Sequence, residues 1–354
     1  MEEKINQVIE ALKNVYDPEL GRDIVSLKMI SDIKVCDSVV SFKFTLTTPA
    51  CPLRDKLKKE AEEAVRKLPW VDRVIINMDA QVKAKDVNIE RKIKGIKHVI
   101  AIVSGKGGVG KSTVALNLAL ALKNMASKTG LLDGDVYGPT LSIMGKTKAP
   151  PFVNEEEKIV PPLYFGIPII SLGFLTSQDQ AIVWRGPIVH NAYRQMLFDL
   201  EWGELDYLIV DLPPGTGDSL ISITQLVELS GAILVTTPQE VSVSDVRRAG
   251  VFLKKMNVPI LAVVENMSDF LCPHCRKTSH LFSGKGGEVL SNEFGLKDYI
   301  KLPFDPLIAE CSEKGEPYFE IVSDSVGKSA FIKLAQDVAS RISVLTFKNQ
   351  VHDF

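Results

Sequence analysis

The feature of this sequence that most constrains its fold is a glycine-rich segment, residues 105–113 (GKGGVGKST). It fits the pattern G-x-x-x-x-G-K-[ST], in which backbone N–H groups surround phosphate oxygens. A short apolar run of strand type, residues 98–103 (HVIAIV), precedes it, and residues 114–122 (VALNLALAL) follow it with the pattern of a buried helix. This order places the positive end of a helix dipole against a bound phosphate. The segment therefore predicts a nucleoside triphosphate site.

The residues of this phosphate loop have separate predicted roles. Lys111 is expected to reach the β- and γ-phosphates of ATP, and the Ser112 hydroxyl is expected to ligate Mg²⁺. Lys106 is an additional lysine, and a second cation beside the phosphates would stabilise negative charge that develops during phosphoryl transfer. The remaining predicted cradle residues are Gly105, Gly107, Gly108, Val109, Gly110 and Thr113.

Composition limits the class of protein. The chain has 354 residues, enough for two domains, with 45% apolar and 24% charged residues, as in soluble globular proteins. Its net charge of -2 provides no overall basic field, so neither nucleic acid nor a membrane is an expected partner. No apolar run approaches the ~20 residues that span a bilayer. Five cysteines do not suggest a disulfide framework, which favours a reducing, cytoplasmic location.

The hydrophobic pattern divides the chain into four parts. Residues 1–80 predict a small α/β domain, and residues 81–97 are polar and lysine-rich, as in a linker. Residues 98–345 alternate strand and helix patterns, which predicts a mostly parallel sheet with helices on both faces. Residues 346–354 are expected to be a tail. The fold class is therefore α/β, a phosphate-loop NTPase domain preceded by a small α/β domain.

Functional residues are expected after the predicted strands, because ligands bind at the carboxyl ends of such strands. Asp135 (in LDGDVYGPT) is expected to orient the attacking water, whereas Asp133 is as well explained as the cap of a turn. Asp211 ends an apolar strand and is expected to coordinate Mg²⁺, with Gly215 close to the γ-phosphate. The remaining predicted nucleotide contacts, to the base, are Asn266 and Pro303. Residues 283–287 (SGKGG) lack the second lysine and the hydroxyl and are interpreted as a loop.

The cysteines suggest a second chemistry. Cys272 and Cys275 (CPHC) have the spacing of two ligands to one metal or cluster. One pair supplies two of the four ligands that a [4Fe–4S] cluster or a structural zinc takes, and two copies about a twofold axis would supply four. Zinc, with His274 or His280, and a redox dithiol stay open. Cys51 precedes a predicted helix and is either a thiol of lowered pKa or a small loop residue. Cys36 is expected in the core, and Cys311 in a structural position.

The doubled lysine of GKGGVGKST resembles the deviant phosphate loop of the MinD, ParA and nitrogenase iron protein family. That resemblance gives Lys106 a role across a dimer interface and implies an ATP-linked homodimer. Together with the segments around Asp135, Asp211, Asn266 and Cys272, the chain resembles the Mrp/ApbC family of iron–sulfur cluster carrier ATPases. Residues 15–20 (VYDPEL) and 47–52 (TTPACP) resemble the small assembly domain related to SufT.

The resemblance to the Mrp/ApbC family implies an ATPase that binds a [4Fe–4S] cluster at its dimer interface. It also implies an upstream cluster scaffold and apo iron–sulfur proteins as clients. The alternative is a MinD/ParA-type ATPase in spatial positioning or partitioning, in which CPHC holds a structural zinc. The end of the chain is not strongly basic, which argues against membrane recruitment by that part of the sequence.

Overall fold

A computed structural model describes residues 2–84, 91–174, 186–272, 274–275 and 277–351, without the side chains of 349–351. The chain forms two compact units. The first contains Met1–Lys83 and Ala339–Phe354, and the second contains Ala84–Val338. No helix among the described residues is long and apolar enough to cross a membrane.

The first unit is a small α/β domain with one apolar core. Its elements are α1 (Glu2–Leu12), β1 (Tyr16–Asp17), β2 (Arg22–Asp23), β3 (Ile30–Cys36), β4 (Val39–Leu46), α2 (Arg54–Arg66) and β5 (Arg73–Ala80). β4 lies between an antiparallel β3 and a parallel β5. Every second residue of β4 is buried, as its alternating sequence predicts. The expectation for Cys36 is wrong, because its side chain lies exposed at the end of β3.

The second unit is built on a nine-stranded, mostly parallel sheet. The unit has eleven strands among its described residues, nine of them in this sheet: β6 (Ile96–Ser104), β7 (Thr129–Asp133), β8 (Phe152–Val153), β9 (Ile159–Val160), β10 (Leu163–Tyr164), β11 (Ile167–Ser171), β12 (Leu205–Asp211), β13 (Gly231–Thr236), β14 (Ile260–Leu271), β15 (Thr278–Ser279) and β16 (Ile300–Phe304). The order across the sheet is β10-β11-β7-β12-β6-β13-β14-β15, with β16 beside β14, while β8 and β9 form a separate pair. This arrangement confirms the predicted fold class.

Helices cover this sheet because its central strands are apolar on both faces. The helices that follow β6 in the chain are α3 (Lys111–Asn124), α4 (Leu141–Met144), α5 (Gly186–Phe198), α6 (Asp218–Leu226), α7 (Glu240–Lys255), α8 (Gly286–Glu293), α9 (Pro306–Lys314), α10 (Tyr318–Ile321) and α11 (Val326–Val351), of which α11 continues into the first unit from Ala339. All residues of β7, β12 and β13 are buried. β7, β11 and β12 lie on one side of β6, and after β12 the chain crosses to the other side and forms β13. In such sheets a ligand binds in the crevice at this change of direction, which here lies at the carboxyl end of β6.

Three sequence-based boundaries differ from the structure. A tail is expected at residues 346–354, but this is wrong for residues 346–351, because α11 continues to Val351. The expected linker overlaps β6, which begins at Ile96, and its residues 85–90 lie outside the described part. β14 extends to Leu271, although its apolar run suggests an end at residue 264. The extension carries β14 to the residue before Cys272.

Candidate nucleotide and cysteine sites

The phosphate loop connects the end of β6 to the start of α3. Gly108 and Gly110 have φ angles of 78° and 81°, a region that residues with a Cβ rarely adopt. Gly105 packs directly against the backbone of α7 at Asp245 and Val246, where a Cβ would overlap it. Gly105, Gly108 and Gly110 therefore have geometric reasons apart from any ligand, whereas no atom of the described residues would crowd a Cβ at Gly107.

Lys111 forms the charged centre of this site. Its ammonium nitrogen lies 2.6 Å from Asp211 Oδ1 and 3.8 Å from Asp135 Oδ2, and the side chain is 7% exposed. The structure thus brings together the three side chains that the sequence assigns to phosphate, metal and water. Lys111 thus joins two carboxylates from separate segments at the N-terminus of α3.

Asp211 has the properties of a metal-binding carboxylate. It is fully buried, and its Oδ2 has no hydrogen-bond partner among the described residues. Burial raises the pKa of Asp211, while the Lys111 ammonium and the Ser112 hydroxyl oppose that rise. An unsatisfied buried carboxylate oxygen beside a serine hydroxyl is a donor set that fits Mg²⁺. Both residues can therefore hold the metal that their positions predict.

Asp133 holds the loop that carries Asp135. Its Oδ2 accepts hydrogen bonds from Ser171 Oγ at 2.8 Å and from the Leu141 N–H at 3.0 Å, and its Oδ1 accepts from the Asp135 N–H at 3.2 Å. Burial, with a smaller effect from the Asp211 charge, raises the pKa of Asp133 to about 7. These contacts match the turn-capping interpretation. Ser171 has no motif around it, and sequence reasoning did not identify it.

Gly215 lies beside the phosphate loop, and its proximity to a γ-phosphate stays a prediction. Its N–H donates to the Ser104 carbonyl at 2.8 Å, and its φ of 94° requires glycine. The residues that follow Asp211 are therefore anchored to the end of β6, directly before the phosphate loop. Lys106, within that loop, is half-buried, and its carbonyl accepts from Ser104 Oγ at 3.2 Å.

The two predicted base contacts lie on neighbouring strands. Asn266 pairs with Leu302 between β14 and β16, which places Pro303 next to it. The Asn266 Nδ2 donates to the Val109 carbonyl of the phosphate loop at 2.8 Å. A Cβ on Gly110 would also collide with the Asn266 amide. Asn266 thus touches the loop itself, and contact with a base remains a prediction for both residues.

Cys272 and Cys275 lie at the tip of a hairpin, which we call the cysteine hairpin (residues 270–279). β14 and β15 pair through Phe270 with Ser279 and Leu271 with Thr278. The Cys272 N–H donates to the Lys277 carbonyl at 3.1 Å, which closes the tip. Hydrogen bonds from the backbone of Cys275 and His274 lower the pKa of Cys272, which favours the thiolate that binds metal.

Other candidate ligands near the hairpin do not complete a site. His280 is exposed and its Nδ1 lies 2.6 Å from Asp269 Oδ1. Among the described residues, no group of three or more His, Cys, Asp or Glu side chains could hold a metal ion. Within the described part of one chain, the cysteine pair therefore lacks the further ligands that a four-coordinate centre needs.

In the first unit, Cys51 lies near the Asp17-Pro18-Glu19 segment. The charges of Glu19 and Asp17 both act on its thiol, but burial is the larger effect and raises the pKa of Cys51 to about 11. The interpretation of Cys51 as a thiol of lowered pKa is therefore wrong, because desolvation outweighs the helix N-terminus. The structure does bring the two sequence segments of this domain together.

Comparison with known proteins agrees with this geometry. A family described as NUBPL iron-transfer P-loop NTPase matches residues 95–339. The chain belongs to this family. A second family, described as iron-sulfur cluster assembly protein, matches residues 5–76. The resemblances of the NTPase part to the iron–sulfur cluster carrier ATPases and of residues 1–80 to an iron–sulfur assembly domain are confirmed at the level of family.

Relatives of this NUBPL-type NTPase match nearly the whole chain. An iron-sulfur cluster carrier protein of Deinococcus radiodurans is 43% identical over 340 residues, 96% of each chain. One of a Synechocystis species is 40% identical over 343 residues, 95% of this chain and 97% of the relative. A nucleotide-binding protein from Archaeoglobus fulgidus, solved with ADP, is 33% identical with a TM-score of 0.56, covering 65% of this chain and 94% of that one.

Proposed function

We propose that this protein binds and hydrolyses ATP and carries a [4Fe–4S] cluster that it delivers to apo-proteins. The observation that carries the proposal is β14, which joins the two sites in one strand. Asn266 within β14 touches the phosphate loop, and Cys272 follows the last residue of the same strand. A change at the phosphate loop therefore has a direct mechanical route to the cysteine hairpin.

The nucleotide half of the proposal follows from the charges around Lys111. ATP binding draws Lys111 from Asp211 to the phosphates, since the helix N-terminus and this ammonium both favour anions. Ser112 and Asp211 would then hold Mg²⁺, which supplies positive charge to the β- and γ-phosphates. Asp135 Oδ2 lies 3.8 Å from the Lys111 ammonium nitrogen in the structure, and we propose that Asp135 orients the attacking water.

The cluster half follows from the number of thiolates. A [4Fe–4S] cargo takes four cysteine ligands, and each chain offers two at the hairpin tip. We propose a homodimer in which both hairpins hold one cluster, with Lys106 acting on the partner's nucleotide. The names of the relatives as cluster carriers support delivery to apo iron–sulfur proteins after loading from an upstream scaffold. Free thiols at these positions fit a cytoplasmic location.

Anaerobic reconstitution with iron and sulfide tests the cargo. We expect a brown chromophore near ~400 nm with about four irons per two chains, lost in Cys272→Ala and Cys275→Ala. Cys36→Ala, at an exposed cysteine of the first unit, is the matched control and should keep the chromophore. Zinc at one per two chains without iron uptake, or a chromophore that survives Cys272→Ala, would refute the cluster proposal.

ATP hydrolysis is tested separately with the two lysines of the phosphate loop. Lys111→Ala should abolish nucleotide binding and hydrolysis together. Lys106→Ala should reduce hydrolysis and leave ATP binding by one chain largely intact, because its proposed target is the partner's nucleotide. Hydrolysis at the wild-type rate in Lys106→Ala would contradict the proposed role across the dimer.

A further inference from the structure

Tyr193, on α5, is a buried tyrosine between a turn of the nucleotide site, residues 133–135, and the first turn of α6. We call residues 133–135 the aspartate turn and residues 212–217 the glycine loop. The Tyr193 side chain is fully buried, and its hydroxyl donates to the Gly134 carbonyl at 2.5 Å. No sequence motif indicates this residue, and the roles proposed above do not use it.

Gly134 is held from two sides. Its N–H donates to the Asp211 carbonyl at 2.8 Å, while its own carbonyl accepts from Tyr193. A Cβ at this position would lie 2.8 Å from Tyr193 Cε1 and 2.9 Å from the Asp211 carbonyl oxygen. The glycine between the two aspartates is therefore required by the close approach of these neighbours, and the backbone before Asp135 has little freedom.

The same tyrosine faces the element that follows the glycine loop. Ser219, in the first turn of α6, is buried, and its Oγ makes no hydrogen bond with the described residues. Burial raises the pKa of Tyr193, and the nearby Ser219 hydroxyl opposes that rise. A buried hydroxyl without a partner beside a phenol oxygen that still has an acceptor lone pair is one short movement from a hydrogen bond.

We propose that Tyr193 is a positioning residue for ATP hydrolysis, which sets the aspartate turn and the first turn of α6 at a fixed separation. The inference rests on the proposed hydrolysis. Asp135 lies on one of these elements, and Gly215 lies just before the other. Both must stand at the γ-phosphate together, and a displacement near 1 Å is enough to cost about a hundredfold in rate. The Tyr193 hydroxyl contacts one element directly and faces the second.

The test is steady-state ATP hydrolysis by the full chain with Tyr193→Phe, which removes the hydroxyl and keeps the packing. We expect kcat to fall about tenfold, with the ATP dissociation constant within about twofold of the wild type. Tyr164→Phe is the matched control: Tyr164 is equally buried, and its hydroxyl lies 3.5 Å from the Gly315 carbonyl, away from the site. Its kcat should stay at the wild-type value.

A double variant separates positioning from general stability. If Tyr193 acts through the aspartate turn, Tyr193→Phe should cause no further loss of kcat in an Asp135→Asn background. Ser219→Ala removes the hydroxyl on α6 that Tyr193 faces, and it should lower kcat several-fold. If Tyr193→Phe does not fold, an unchanged kcat in Ser219→Ala would overturn the inference. A wild type that hydrolyses no ATP above the Lys111→Ala background would overturn both the proposed function and this inference. Hydrolysis in the wild type with unchanged kcat in Tyr193→Phe would overturn this inference alone.

Discussion

At the scale of single residues, burial decides how charged groups behave in this protein. Lys111 and Asp211 are a buried ion pair at 2.6 Å, and removing either partner alone would leave an uncompensated charge. The proposed binding of nucleotide and Mg²⁺ implies that phosphate takes the place of Asp211 beside Lys111, while the metal takes the place of Lys111 beside Asp211.

Cys51 gives a prediction at this scale, because its pKa is raised from 9.0 to about 11 by burial. A raised pKa keeps the proton on the thiol in the folded state up to that pH. Lower thiolate content slows alkylation, while the higher nucleophilicity of a more basic thiolate recovers part of the loss. At pH 8 we expect iodoacetamide to modify Cys51 at least about tenfold more slowly in the native protein than in urea.

Peptide mass spectrometry over a pH series measures this difference. The native rate should continue to rise through pH 10, whereas the rate in urea should level off above about pH 9. A native rate at pH 8 equal to or above the rate in urea would mean that the thiol is activated, against the burial argument.

The same scale shows what could be predicted from sequence. Lys111, Asp211 and Gly215 belong to contiguous motifs, and the structure places all three around one loop. Ser171 and Tyr193 meet the aspartate turn from distant parts of the chain, 38 and 59 residues away from their partners. Their contacts are set by sheet order and helix packing, and a single sequence contains no local pattern for them. The interpretation of Cys51 as a thiol of lowered pKa is wrong for the same reason, because burial depends on the tertiary structure.

At the scale of elements, β14 is the feature that relates the two sites. Its apolar run ends near residue 264, yet the strand continues to Leu271 with more polar residues. Its pairing with β16 shifts register between Asn266 and Phe270, and Met267 has a φ of 55°, unusual for a residue with a Cβ. The irregularity lies between the residue that touches the phosphate loop and the cysteine hairpin.

This arrangement predicts that Asn266→Ala uncouples the cysteines from nucleotide. In the wild-type apo-protein, Mg-ATP should change the alkylation rate of Cys272 and Cys275 several-fold, because the Asn266 contact to Val109 transmits movement of the phosphate loop. In Asn266→Ala the two rates, with and without ATP, should agree within about twofold. One tryptic peptide contains both cysteines, so mass spectrometry follows them directly.

Two controls make that experiment specific. Asn292→Ala changes an exposed asparagine on α8 and should keep the full response to ATP. ATP affinity must be measured for Asn266→Ala, and the comparison made at saturating nucleotide. An Asn266→Ala protein that retains the wild-type response would show that the coupling does not pass through this side chain.

At the scale of the whole molecule, both ends of the chain belong to the same unit. The unit of Met1–Lys83 also contains Ala339–Phe354, whereas sequence patterns place the first seven of these C-terminal residues (339–345) in the nucleotide-binding domain and the last nine in a tail. The long helix pattern of α11 is visible in the sequence, but its partner is not. The sequence pattern of a helix shows which of its faces is apolar, but it does not show which domain core that face packs against.

Phe347 tests this assignment. Its ring packs against the apolar core of the first unit, with the Arg22 guanidinium 5.7 Å from the ring centre. Phe347→Ala should lower the free energy of unfolding of the first unit by about 1–2 kcal/mol, less than for a fully buried phenylalanine. Amide exchange in β3, β4 and β5 should accelerate accordingly, while ATP hydrolysis stays unchanged. Lys348→Ala, at the exposed neighbouring position, should change neither. Faster exchange in β6 and β12, with β3–β5 unaffected, would instead assign Phe347 to the nucleotide-binding unit.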